Sequence, residues 1–141
     1  MEYAQRFCST PGKHDGLYWE VPETEASSPL DPLIVAAAGE GYASGKVCAI
    51  TPEPYHGYLY KILTAQGPDA PGKAYSYVVN GNMVGGFALV AWPAEYAVSG
   101  VMTFIVNQNG IIYEKDLGAR TDEIVKAMTE YNPDSVWSRA Q

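Results

Sequence analysis

Residues 85 to 118, GGFALVAWPAEYAVSGVMTFIVNQNGIIYEKDLG, hold two apolar runs and a third, alternating one, separated by Pro93, Gly100 and Asn109-Gly110. Runs this short, with turn residues between them, read as consecutive antiparallel strands. The unbroken run from Phe87 to Trp92 predicts a central strand with cover on both faces. Pro93 cannot donate to a ladder and so ends that strand. Val101 to Asn107 and Ile111 to Leu117 are the next two strands, joined through Asn109-Gly110 by either a two-residue or a four-residue loop.

The flanks extend this pattern. In YHGYLYKILT, Tyr58, Tyr60 and Ile62 fall on one face of a strand and Leu59, Lys61 and Leu63 on the other. After the Gly/Pro loop Gln66 to Lys73, the strand Tyr75 to Val79 turns through Asn80-Gly81 into a strand from Met83 to Trp92, with Gly85-Gly86 marking a bulge or a close backbone approach. Thr121 is placed to cap a helix whose stripe is Ile124, Val125, Ala127, Met128 and Tyr131, closed by Asn132-Pro133. At the other end, Tyr3, Ala4, Phe7 and Cys8 have helical spacing, which predicts a short helix over Met1 to Cys8. A second helix starts at Asp31-Pro32 or Ser28-Pro29, buries Leu33, Ile34, Ala37 and Ala38, and stops at Gly39 and Gly41. The expected fold is one α+β domain over residues 1–141, an antiparallel five-stranded sheet covered by short N-terminal helices and one C-terminal helix.

A chain of 141 residues, 47% hydrophobic and 18% charged, can bury a core without metal or disulfide support. Its net charge of -7, with no basic stripe, opposes binding to nucleic acid or to anionic lipid. No apolar run approaches the ~20 residues that a membrane span requires, so no direct membrane insertion of this chain is expected. Cys8 and Cys48 are too far apart for a redox or zinc motif, and they are either joined by a disulfide or left as two buried thiols.

Chemistry is harder to find. GEGYASGK, residues 39 to 46, fails as a phosphate loop, because Glu40 replaces its first glycine and Val47 follows Lys46 where a hydroxyl is needed. His14 and His56 are the only imidazoles, no serine stands in a nucleophile elbow, and zinc would need distant ligands, so no metal and no cofactor is expected. Glu95, Glu114 and Asp116 read as the solvated side of a hairpin. Tyr55, Tyr58, Tyr60, Tyr75, Tyr77 and Trp92 are more rings than one core face hides, and core packing competes with a ligand or partner surface for their use. Tyr58, Tyr60, Trp92 and His56 are the candidate ligand- or partner-binding residues, and no residue is assigned a catalytic role.

STPGKHDGLYW and the long tract PYHGYLYKILTAQGPDAPGKAYSYVVNGNMVGGFALVAWPAEYAVSGVMTFIVNQNGIIYEKDLG resemble bacterial exported proteins of the domain-of-unknown-function family DUF2950, over nearly the whole chain. The resemblance implies a periplasmic or extracellular protein, of which this chain is the mature or C-terminal part. More narrowly, SGVMTFIVNQNGIIYEKD is similar to the end of the globular sheet in pseudopilin-like proteins of secretion systems, although the strongly apolar helix that lets pilins polymerise is missing here. Neither resemblance supplies a catalytic residue. The expected function is therefore that of a non-enzymatic interaction or structural domain of the bacterial envelope, with an envelope or secretion-system protein as partner. A glycan- or small-ligand-binding module and a hydrolase using His56 or His14 are the alternatives.

Overall fold

The computed structural model describes residues 2–19, 54 and 56–140. The chain forms two compact units, Met1–Tyr3 with His56–Gln141, and Ala4–Tyr55.

In the smaller unit, β1 (Arg6–Cys8) and β2 (Gly16–Tyr18) pair in parallel, with Arg6 opposite Gly16 and Cys8 opposite Tyr18. The turn between them is held by Asp15, whose carboxylate accepts from the Thr10 amide and the Thr10 hydroxyl, both at 2.7 Å. The Ser9 hydroxyl accepts from the Gly16 amide at 2.8 Å. These bonds explain why the helix expected over Met1 to Cys8 is not found. Four apolar positions at helical spacing are a weak nucleus, whereas Asp15 and Ser9 fold the following loop back so that Arg6–Cys8 gains a strand partner. The helix expected from Asp31 or Ser28 lies outside the described residues, as do Tyr55 and the glycines at 39 and 41.

The larger unit is built on a five-stranded, wholly antiparallel sheet: β3 (Tyr58–Leu63), β8 (Ala88–Pro93), β9 (Met102–Asn107), β10 (Ile112–Asp116) and β12 (Ser138–Arg139). Their order across the sheet is β12-β10-β9-β8-β3. A second, three-stranded sheet takes β4 (Ala65–Gln66), β5 (Tyr75–Ser76) and β11 (Glu130–Tyr131), with β4 in the middle. The remaining pair is a hairpin of β6 (Val78–Val79) and β7 (Asn82–Met83). Its turn residues Asn80 and Gly81 both have positive φ, 50° and 82°, as an Asn-Gly hairpin turn requires.

Several expected strands are cut shorter than their sequences propose. Tyr75 to Val79 divides at Tyr77, whose amide still bonds the Thr64 carbonyl opposite it while its own carbonyl accepts from the Val84 and Gly85 amides. Met83 to Trp92 divides at Gly85-Gly86, because the Val84 and Gly85 amides both turn to the Tyr77 carbonyl. The close approach expected there is real: a Cβ on Gly86 would lie 3.0 Å from the Tyr77 ring. The last cross-strand pair of the β9–β10 hairpin is Val106 with Ile112, so the five residues Asn107 to Ile111 connect the strands and neither the two-residue nor the four-residue loop forms.

β8 lies inside the sheet, but its residues alternate buried and half-buried rather than being covered equally on both faces. The well-covered face carries Leu63, Ala88, Val90, Trp92 and Ile105, with Thr103 and Asn107 also buried. Over it packs α1 (Thr121–Ala127), which follows a 3-10 turn at Gly118–Arg120. Its Val125 is fully buried, a contribution of about 1.5 to 3 kcal/mol. It is the one α-helix among the described residues. Arg120 rather than Thr121 is its N-cap, and Thr121 instead donates its hydroxyl to the Gly118 carbonyl at 2.5 Å.

The helix was expected to reach Tyr131 and stops at Ala127. Lys61, reaching up from the covered face of β3, donates its ammonium to the carbonyls of Val125, Lys126 and Met128 at 3.1, 3.0 and 2.6 Å. A cation on the last carbonyls closes a helix well, and Met128 is already extended. Tyr131 is buried as expected, but from the strand β11, which pairs in parallel with β4.

Candidate interaction surface

Strand alternation separates the candidate residues. Trp92 pairs with Leu59 and lies on the α1 side of the sheet, where its indole Nε1 donates to Asp122 at 3.1 Å. Tyr58 and Tyr60 pair with Pro93 and Ala91 and therefore share the opposite face. Trp92 is 6% exposed and Tyr60 37% exposed, so the structure places them in two different environments. His56 sits in an exposed turn with a φ of 49°, two residues before Tyr58 at the start of β3.

The face opposite α1 is organised in cross-strand rows. Ile62, Leu89, Val106 and Ile112 stand in register across four strands, and Tyr60, Ala91, Phe104 and Glu114 form the next row. Tyr58 continues the surface, its ring 6.0 Å from that of Phe104 and its hydroxyl donating to the Met102 carbonyl at 3.0 Å. Burial pushes the Tyr58 phenol above its ordinary pKa. Met102 is 38% and Ile112 46% exposed. Leu89, Phe104, Val106, Met102 and Ile112 were not singled out from sequence. Their alternation was visible, but knowing that they stand beside Tyr58 and Tyr60 requires the register.

Acidic groups border this face on the β10 side. Glu114 and Asp116 alternate with Tyr113 and Lys115 along the strand. Asp116 accepts from the Tyr96 hydroxyl and the Gly118 amide, each at 2.8 Å, and that carboxylate holds the Tyr96 phenol above its ordinary pKa. Next to it, the loop from Glu95 to Gly100 is closed by Val98 and Ser99 amides donating to the Glu95 carbonyl, and it lifts Val98 to 78% exposure.

Other groups that could carry chemistry are few among the described residues. His14 stacks on Trp19 with ring centroids 4.4 Å apart. A groove of about 270 Å³ is lined by Ile105, Met128, Thr129, Glu130, Asn132 and Trp137, a set with one carboxylate and no imidazole or thiol. Among the described residues no three His, Cys, Asp or Glu side chains gather where they could hold a metal ion. Cys8 is disulfide-bonded, while Cys48 lies outside the described residues. No described helix is long and apolar enough to cross a membrane.

Comparison with curated proteins and with solved structures returns no match, and nothing in it carries the pseudopilin similarity of the last hairpin. A family profile described as "Protein of unknown function (DUF2950)" matches residues 1–140. With nearly every residue matched, from the Asp15-closed turn through the five-stranded sheet to the tail beyond Trp137, this chain belongs to the DUF2950 family.

Proposed function

We propose that this chain is a non-enzymatic interaction domain of the bacterial envelope, acting in the periplasm or outside the cell, and that the sheet face opposite α1 is its contact surface. One observation carries the reading: rows of apolar side chains spanning four strands, half-buried at Ile62, Leu89, Phe104 and Val106, on a face where Tyr60, Met102 and Ile112 are exposed. A large exposed apolar face rimmed by polar groups marks interaction sites rather than ordinary surface. Its border is acidic at Glu114 and Asp116, and the chain carries a net charge of -7. The fitting partner is therefore a protein with an apolar patch bordered by Lys and Arg, since complementary charge sets orientation and encounter rate. Disulfide bonding of Cys8 supports an oxidising compartment.

Photo-reactive residues placed at Tyr60 and Ile112 in the living bacterium, with Glu123 on the helix side as control, test the surface. Discrete protein adducts from the two sheet positions, absent at Glu123 and weakened by Tyr60→Asp, are expected. Absence of adducts at both, or the same adducts at all three positions, would overturn it.

A further inference from the structure

The sequence holds four methionines, of which Met1 lies outside the described residues. Met83 is fully buried, Met128 is half-buried in the lining of the groove beside Ile105, and Met102 is 38% exposed. Thr103, Ile105 and Asn107 on β9 are buried on the covered face of the sheet. Alternation therefore puts the Met102 side chain on the opposite face, with Phe104 and Val106. We propose that Met102 is a site of reversible oxidation by hydroperoxides, and that its sulfoxide weakens the contact made by this face. The second half rests on the reading of that face as the contact surface, whereas the site of oxidation rests on exposure alone.

With hydrogen peroxide, a lone pair of the thioether sulfur bonds to one oxygen and the O–O bond breaks. The proton on the transferred oxygen passes to the departing hydroxide, which leaves as water. Sulfur loses two electrons and the peroxide gains them. Methionine sulfoxide reductases reverse the change.

The backbone at this position is held while the side chain is open. The Met102 carbonyl accepts from the Tyr58 hydroxyl at 3.0 Å, and Met102 stands opposite Asp116 in the β9–β10 ladder. Oxidation therefore alters the surface and leaves the strand in place. A sulfoxide replaces a flexible apolar side chain with a polar one, here on a face that also carries Tyr58, Phe104 and Val106. A partner that covers this face must then supply a donor to the new oxygen or leave it buried and unpaired, which costs affinity. Met83 has no such access, because with none of its surface exposed it meets peroxide only when the fold opens.

The site is tested by treating the full native chain with dilute hydrogen peroxide at neutral pH and mapping methionine sulfoxide over time. Met102 should oxidise several-fold faster than Met83, and the two rates should converge in the denatured chain. Equal rates in the native chain, or a difference that persists after denaturation, would overturn the site. The switch is tested with the photo-reactive residue at Tyr60 in the living bacterium. Its adducts should fall several-fold on peroxide challenge, and Met102→Gln, a polar stand-in for the sulfoxide, should show that fall without peroxide. Met102→Leu, which has no sulfur to oxidise, should keep under peroxide whatever level it starts from. Adducts that persist when Met102 is oxidised or replaced by glutamine, or that fall equally in Met102→Leu, would overturn the switch and leave the contact surface standing. Absence of Tyr60 adducts before any peroxide would overturn the surface and the switch together.

Discussion

Trp92 on β8 and Asp122 on α1 are joined by a 3.1 Å hydrogen bond from the indole Nε1 to the carboxylate, a bond that ties the one described α-helix to the main sheet. The other carboxylate oxygen of Asp122 meets the Lys126 ammonium at 2.7 Å. The bond to Lys126, then that from Trp92, holds the carboxyl below its ordinary value of 3.8. A depressed carboxylate pKa contributes stability that is present above 3.8 and lost as pH falls through the lowered folded value. Asp122→Asn is expected to cost about 1 kcal/mol at neutral pH, allowing for partial exposure. It should also flatten the acid limb of a urea-midpoint against pH profile, and an unchanged acid limb would count against this role.

Lys61 closes α1 with three charge-assisted bonds. Lys61→Met keeps the stem but removes every donor, and the expected loss is about 1 to 3 kcal/mol. Hydrogen exchange should show the damage first, in faster exchange at the Met128 amide, which bonds the Val125 carbonyl. A global loss of protection with no local excess would contradict this assignment.

Tyr77 and Tyr131 are buried, and burial pushes the pKa of each up to about 12 from an ordinary 10.0. A phenol whose folded pKa is raised contributes stability that is complete below 10.0 and lost as pH rises toward 12. Alkaline spectrophotometric titration should therefore find two tyrosines that ionise late, together with unfolding. Tyr77→Phe should remove one of them and cost about 1 to 3 kcal/mol, because Gln66 Oε1 loses the hydroxyl that donates to it at 3.0 Å.

Cys8 is disulfide-bonded, and the sequence holds one other cysteine, Cys48. Non-reducing peptide mapping should recover a fragment that joins them, and two free thiols in protein from an oxidising compartment would refute the pairing. Closing a loop of that length should stabilise the chain by about 4 kcal/mol, readable as the shift in denaturation midpoint on adding reductant.

The sequence by itself determined the features that depend on near neighbours. The Asn80-Gly81 hairpin, the end of β8 at Pro93 and the strands β3, β9 and β10 follow from side-chain period and turn chemistry. So does the separation of Tyr58, Tyr60 and Ile62 from Leu59, Lys61 and Leu63, since alternation in a strand needs no partner. The tertiary structure decided whatever depends on a distant group. Lys61 ends α1 from more than sixty residues away, and helix periodicity carries no trace of a cation arriving from another element. Asp15 and Ser9 give Arg6–Cys8 a strand partner that its own spacing argued against. Tyr77 draws the amides of Val84 and Gly85 out of an otherwise continuous apolar run. Register, finally, set Tyr60 in one row with Ala91 and Phe104 and put Trp92 beneath the helix, because two neighbouring strands can slide past one another without changing either sequence.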